Sequence, residues 1–142
     1  MLTILVFTAA SWYLVGLSWT VALVTYPGFG LVGKDDWRGV HAFHSRRIAF
    51  AVGPMWAVEG LSAGLWLVHP PSGTFALAAI STAATVATVA MTVWWAVPAH
   101  ERLSQGFSPA LGRRLRVAHL VRTGAWTAAA ASATVALAQH LG

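Results

Sequence analysis

Four long apolar runs, parted by two charged stretches and one short uncharged turn, organise this chain. The first runs from about Leu2 to Tyr26 with no charged residue. Pro27-Gly28 is expected to stop it, because proline cannot continue the helical hydrogen-bond ladder and glycine loosens the backbone. The second covers about Ile48 to Val68, with Gly53-Pro54 as an expected kink. His69-Pro70-Pro71-Ser72-Gly73 forms a turn, and the third run goes from about Phe75 to Val97, where Pro98 marks an end or a bend. The fourth extends from about Ala118 to Leu141. Each run approaches the roughly 20 residues that a helix needs to cross a bilayer core. The pattern predicts an all-α integral membrane four-helix bundle, a single domain over residues 1–142.

Between the runs lie Lys34 to Arg47 and His100 to Arg116. Asp35 or Asp36 can cap a helix beginning near Trp37. Gly106, Pro109 and Gly112 are expected to divide the second stretch into turns and a short helix. The first run lacks a basic leader and an A-x-A cleavage pattern, so it reads as a retained helix rather than a signal peptide.

Composition supports the membrane reading: 57% of the 142 residues are hydrophobic and only 9% charged, far below the roughly 25% charge of a soluble domain. Mean hydropathy is +0.65. With no cysteine, disulfides and thiolate metal sites are excluded. The net charge of +5 does not argue for nucleic acid, because the basic residues flank apolar runs, where they set topology and meet anionic headgroups. All nine lysines and arginines lie between Lys34 and Arg47 or between Arg102 and Arg122. The positive-inside rule therefore puts both charged stretches in the cytoplasm and both termini outside. A bacterial inner membrane is the expected location, from small size and Ala, Val and Arg content.

Helix association is also legible. Gly60 and Gly64 form a G-x-x-x-G pair, and the third and fourth runs are dense in Ala, Ser and Thr. Such small residues let helices approach closely, within the bundle or in a homo-oligomer.

Candidate chemistry gathers at the charged side. His41, His44, His100 and His119 fall near that boundary, while His69 and His140 lie opposite. Imidazole suits iron, copper and zinc, and bundles build metal sites from facing helices, so these four are candidate metal ligands. They are equally the half-solvated histidines common at a membrane boundary. Glu59 is the sole acid inside a predicted span. An ionisable group there is costly and faces a cavity, a partner or the bundle interior, which makes it a catalytic candidate; the structural alternative is an acid hydrogen-bonded between helices. Along a continuous helix it lies roughly 22 Å from His44, too far to share a metal. Glu59 is therefore expected to serve a deeper pocket whose mouth the histidines guard. Arg122 reads as a snorkelling side chain or as an anion or carbonyl clamp facing His100 and Glu101. Trp56, Trp94 and Trp126 are candidate pocket walls for a flat apolar ligand, although most of the eight tryptophans suit an interfacial belt. No G-x-G-x-x-G, Walker, G-x-S-x-G or H-E-x-x-H pattern occurs, so nucleotide-driven transport and triad hydrolysis find no support.

The stretches Val97-Pro98-Ala99-His100-Glu101-Arg102-Leu103 and Leu115-Arg116-Val117-Ala118-His119-Leu120-Val121-Arg122-Thr123 resemble the small four-helix membrane proteins grouped as anthrone-oxygenase-like. Pro98, Leu103, His119, Arg122 and Thr123 carry the likeness, which covers the last third of the chain. His100 and His119 depart from it, standing where asparagine is usual. The resemblance implies oxidation of a polycyclic phenol by dioxygen without a cofactor, with His119 or Glu59 as base and Arg122 holding the oxyanion.

The leading expectation is a membrane-embedded oxidoreductase acting on a lipophilic aromatic or quinone-like molecule near the cytoplasmic face, with Glu59, His119 and Arg122 as catalytic candidates. Two alternatives stay open at this point. One is a redox carrier with haem held between His44 and His119; the other is a non-enzymatic subunit docking a larger membrane complex. The residues leave the cofactor undecided between a transition metal, haem and none.

Overall fold

A computed structural model describes residues 1–141. The chain forms four helices: α1 Leu2–Phe29, α2 Trp37–Val68 and α3 Phe75–Leu103, then α4 Pro109–Leu141. The first three are long and apolar enough to cross a membrane by length and composition. The fourth is long enough, but Arg113, Arg114, Arg116 and Arg122 crowd its first half and small residues fill its second.

All four helices run further toward the charged end than the apolar runs predict. α2 starts at Trp37, eleven residues before Ile48, and α4 starts at Pro109 rather than at Ala118. α1 passes Pro27 and ends at Phe29, and α3 passes Pro98 and ends at Leu103. Both helices contain a π turn just upstream of the proline, Val21–Thr25 in α1 and Thr92–Ala96 in α3. The offset is the same in both: Val21 is six residues before Pro27, and Thr92 six before Pro98. A proline has no N–H for the carbonyl four residues back and its ring crowds it. One widened turn relieves that conflict and lets the helix continue. Pro54 lies inside α2, which runs on uninterrupted; the Tyr13 hydroxyl donates to the Ala51 carbonyl nearby at 3.2 Å.

Three layers fill the interior. At the uncharged end Ile4, Phe7, Trp66 and Ala78 meet Ala129, Ala133 and Ala136. Leu14, Val15, Trp126 and Ala130 form the middle, with Val52, Met55 and Trp56 against them. Val21, Tyr26, Phe29, Trp37, Ala96, Leu103 and Leu115 form the layer at the charged end. The buried alanines of α4 meet Ala78, Ser81, Thr85 and Thr88 of α3 and the face of α1, so small residues do bring helices together. The G-x-x-x-G pair does not take part. Gly60 and Gly64 face outward, and a Cβ on either would meet nothing within 4 Å.

The two charged connections lie side by side. The Trp37 indole N–H donates to the Leu103 carbonyl at 2.6 Å, and Arg38 donates to the Gln105 carbonyl at 3.4 Å. The 69–74 turn is tied by Trp66 Nε1–H to Thr74 Oγ1 at 3.2 Å and by Thr74 Oγ1–H to the Pro71 carbonyl at 2.8 Å. The basic residues thus gather at one end of the bundle and the apolar layer closes the other.

Candidate functional site

The two π turns face the part of α4 that carries His119 and Arg122. His119 Nε2 lies 2.9 Å from the Ser18 carbonyl, and a carbonyl only accepts, so this nitrogen carries the proton. His119 Nδ1 is then the lone pair that accepts from Arg122 Nη2, 3.1 Å away. Both nitrogens of His119 are therefore committed. Arg122 Nη1 donates to Thr92 Oγ1 at 2.8 Å, and Thr92 donates in turn to the Thr88 carbonyl at 2.8 Å. The guanidinium carbon sits 5.2 Å from the centre of the Trp126 ring, within cation–π range. One edge of the guanidinium is free, since Nε is buried without a partner. Ser18 lies three residues before the widened turn of α1 and Thr92 opens that of α3, so the groups that hold His119 and Arg122 come from the stretches of α1 and α3 at or just ahead of these turns.

Above this pair the other three histidines come together. His41 Nε2 and His100 Nδ1 are 3.1 Å apart, and the His44 ring stacks on His100 with centroids 6.2 Å apart. Phe29 packs edge-on to His44 at 5.0 Å, and Trp37 lies against His41 at 5.2 Å. Tyr26 touches both His44, at 6.3 Å, and His119, at 5.0 Å.

A cavity of about 300 Å³ lies among these groups. Tyr26, His44, His100, Thr92 and Arg122 give it a polar end, and Ile48, Val52, Trp56, Ala96 and Val97 give it apolar walls. Ala49, Gly53 and Val97 are exposed on its rim, so it opens sideways between α2 and α3. Its size falls at the lower end of the roughly 300–1,000 Å³ of small-molecule sites, and its mix of apolar wall and few polar groups is theirs too.

Glu59 lies deeper, on the middle layer, and is 0% exposed. Its Oε1 accepts from the Ser11 hydroxyl at 2.8 Å and its Oε2 from the Trp126 indole N–H at 3.0 Å. The carboxyl group and the Arg122 guanidinium therefore meet the same indole, one at its N–H and the other over its face. Glu59 does not line the cavity.

Several expected site residues do not join the cavity. His119, a candidate base or metal ligand by sequence, is hydrogen-bonded to Arg122 and does not line the cavity. The set His41, His44, His100 and His119 is not assembled for a metal: among the described residues no three His, Asp or Glu side chains are arranged to hold one. His41 and His100 bond each other and His119 has no free lone pair. Tyr26 packs against both His44 and His119. Trp94 is 72% exposed on the outer surface, while Trp56 lines the cavity and Trp126 supports it from below. Glu101 is exposed and Arg122 turns inward to Thr92 and His119 instead. Tyr26, Ser18 and Thr92 escaped sequence reasoning; only Thr92 is marked in the sequence, as the residue six before a proline. The chain matches no family model, no curated protein and no solved structure.

Proposed function

We propose that this chain is an integral membrane protein of four spans, with both termini outside, that takes a lipophilic aromatic or quinone-like molecule from the bilayer and oxidises it. The cavity between α2 and α3 carries this reading: it combines an apolar, laterally open wall with Tyr26, His44, His100 and Arg122 at one end. A phenol or hydroquinone head carries a hydrogen-bonding oxygen on an apolar body, and Arg122, which only donates, lines the cavity. Oxidation of such a head releases protons as electrons leave to dioxygen, the oxidant that the anthrone-oxygenase resemblance implies. His44 and His100 are the bases at hand, and Arg122 stabilises the oxyanion that forms. His119 acts through Arg122, and Glu59 through Trp126.

The test is oxygen uptake by the detergent-solubilised protein with a panel of anthrones and naphthohydroquinones, with binding followed by tryptophan quenching. Uptake lost in His100→Ala and Arg122→Gln supports the reading. Saturable binding without uptake removes the oxidoreductase part, and neither binding nor uptake across the panel overturns it altogether.

A second reading concerns association. Gly53, Ala57, Gly60 and Gly64 follow one another along the outward side of α2, a face suited to another helix of a homo-oligomer or a larger complex. Crosslinking across Gly60→Cys in membranes tests it, and an absence of any crosslinked species at native expression counts against it.

A further inference from the structure

On the outer side of α3 and α4, away from the histidine cavity, two depressions meet. A groove of about 740 Å³ is walled by Met91, Trp95, Val117 and Val121, with Ala118 at its floor and Ala110, Arg113 and Arg114 at one end. A pocket of about 150 Å³ beside it is bounded by Trp94, Trp95, Pro98, Arg102 and Arg114. Trp95 and Arg114 belong to both, so the two adjoin. The groove exists because α4 places alanines where a larger side chain would fill the space against α3. From Arg114 it follows α4 for seven residues to Val121, about 10 Å at the helical rise, and so leads from the charged end toward the middle of the bundle.

We propose that these adjoining depressions bind one anionic phospholipid of the surrounding leaflet. The phosphate sits among Arg102, Arg113 and Arg114, and an acyl chain occupies the groove. All three arginines are exposed, and among the described residues no acid lines either depression. Guanidinium forks match phosphate oxygens bidentately, and a tryptophan at the junction of polar head and apolar tail suits the amphipathic ring. The groove between α1 and α2, about 480 Å³, has a single arginine, Arg47, at its rim. That guanidinium lies over the Phe43 ring at 5.4 Å. Charge and apolar groove therefore coincide on α3 and α4 far more than on α1 and α2. The proposal rests on the membrane-spanning reading.

The test uses the full chain, extracted from membranes and exchanged into detergent with equimolar phosphatidylglycerol and phosphatidylcholine, then weighed by native mass spectrometry. Each basic residue near an anionic lipid contributes roughly fivefold in affinity. One phosphatidylglycerol should be retained in at least tenfold excess over phosphatidylcholine. R113Q/R114Q should lower that ratio at least fivefold, while R46Q/R47Q, which removes the same charge elsewhere, should leave it unchanged. A110W, which fills one end of the groove and keeps the arginines, should lower retained phosphatidylglycerol at least fivefold. Equal retention of the two lipids by the unmodified protein overturns the proposal, as does an equal loss in R46Q/R47Q or full retention in A110W. Recovery of the protein without detergent in the soluble fraction overturns the membrane reading and this proposal with it; membrane-extracted protein with no lipid preference overturns this proposal alone.

Discussion

Replacing Glu59 tests whether its carboxyl group is a structural acceptor. Glu59 is fully buried and accepts from Ser11 and from Trp126. Glu59→Met keeps the volume and removes both acceptors. Ser11 can turn its hydroxyl to a carbonyl of its own helix, as serine does in apolar surroundings, so its loss is small. The Trp126 indole N–H is fixed by the ring and has nowhere to turn, which costs about 1–3 kcal/mol for an orphaned buried donor. With up to about 1 kcal/mol for Ser11, the total is roughly 1–4 kcal/mol. In thermal unfolding of the detergent-solubilised protein that corresponds to a fall in Tm of roughly 2–16 °C. Glu59→Gln should behave differently. Its amide oxygen can accept from Trp126 while its NH₂ donates to the Ser11 oxygen, so the loss should stay within about 1 kcal/mol. Adding Trp126→Phe to Glu59→Met removes the orphaned donor, so the double variant should be less damaged than the sum of the singles by about 1–3 kcal/mol. If Gln is as damaging as Met, the charge and not the acceptor pair matters, and the structural role assigned to Glu59 is wrong.

Other expectations follow from single contacts. His119→Ala frees Arg122 Nη2 and should weaken binding of a naphthoquinone, read by tryptophan quenching, about tenfold with a fold unchanged by circular dichroism; unchanged affinity would mean that Arg122 needs no support from His119. Trp37→Phe removes the bond to the Leu103 carbonyl and should cost about 1 kcal/mol, measured as a Tm shift, together with faster proteolysis of the Ser104–Ser108 connection. Ala133→Leu should destabilise by about 1–3 kcal/mol through overpacking between α4 and α1. Gly60→Leu, where nothing stands within 4 Å of a Cβ, should change monomer stability by less than about 0.5 kcal/mol. Equal effects of these last two would contradict the inward and outward assignment of the two helix faces.

The apolar runs place four helices correctly but miss their ends, and the reason is physical. A bilayer-length hydropathy pattern ends where charge begins, whereas helical hydrogen bonding does not: α2 and α4 simply continue through Arg46 and Arg116 toward Trp37 and Pro109. The prolines mislead in the same way. Pro27 and Pro98 read as stops, yet a single π turn ahead of each carries the helix onward, and Ser18 and Thr92, ahead of or within these turns, partner α4. The convergence of histidines on one side is legible from spacing, and His41, His44 and His100 do meet. The fate of His119 is not legible, because it depends on a carbonyl a hundred residues away in α1.

By itself, then, the sequence determines the number of helices and the gathering of all basic residues at one end, because hydropathy and charge are properties of local runs. Which small-residue face packs inward, which tryptophan lines a cavity, and which groups Glu59 bonds were settled only by the tertiary structure. Each of those outcomes depends on the rotation of one helix against another, and a helix with apolar residues all around carries little record of that angle in its own sequence.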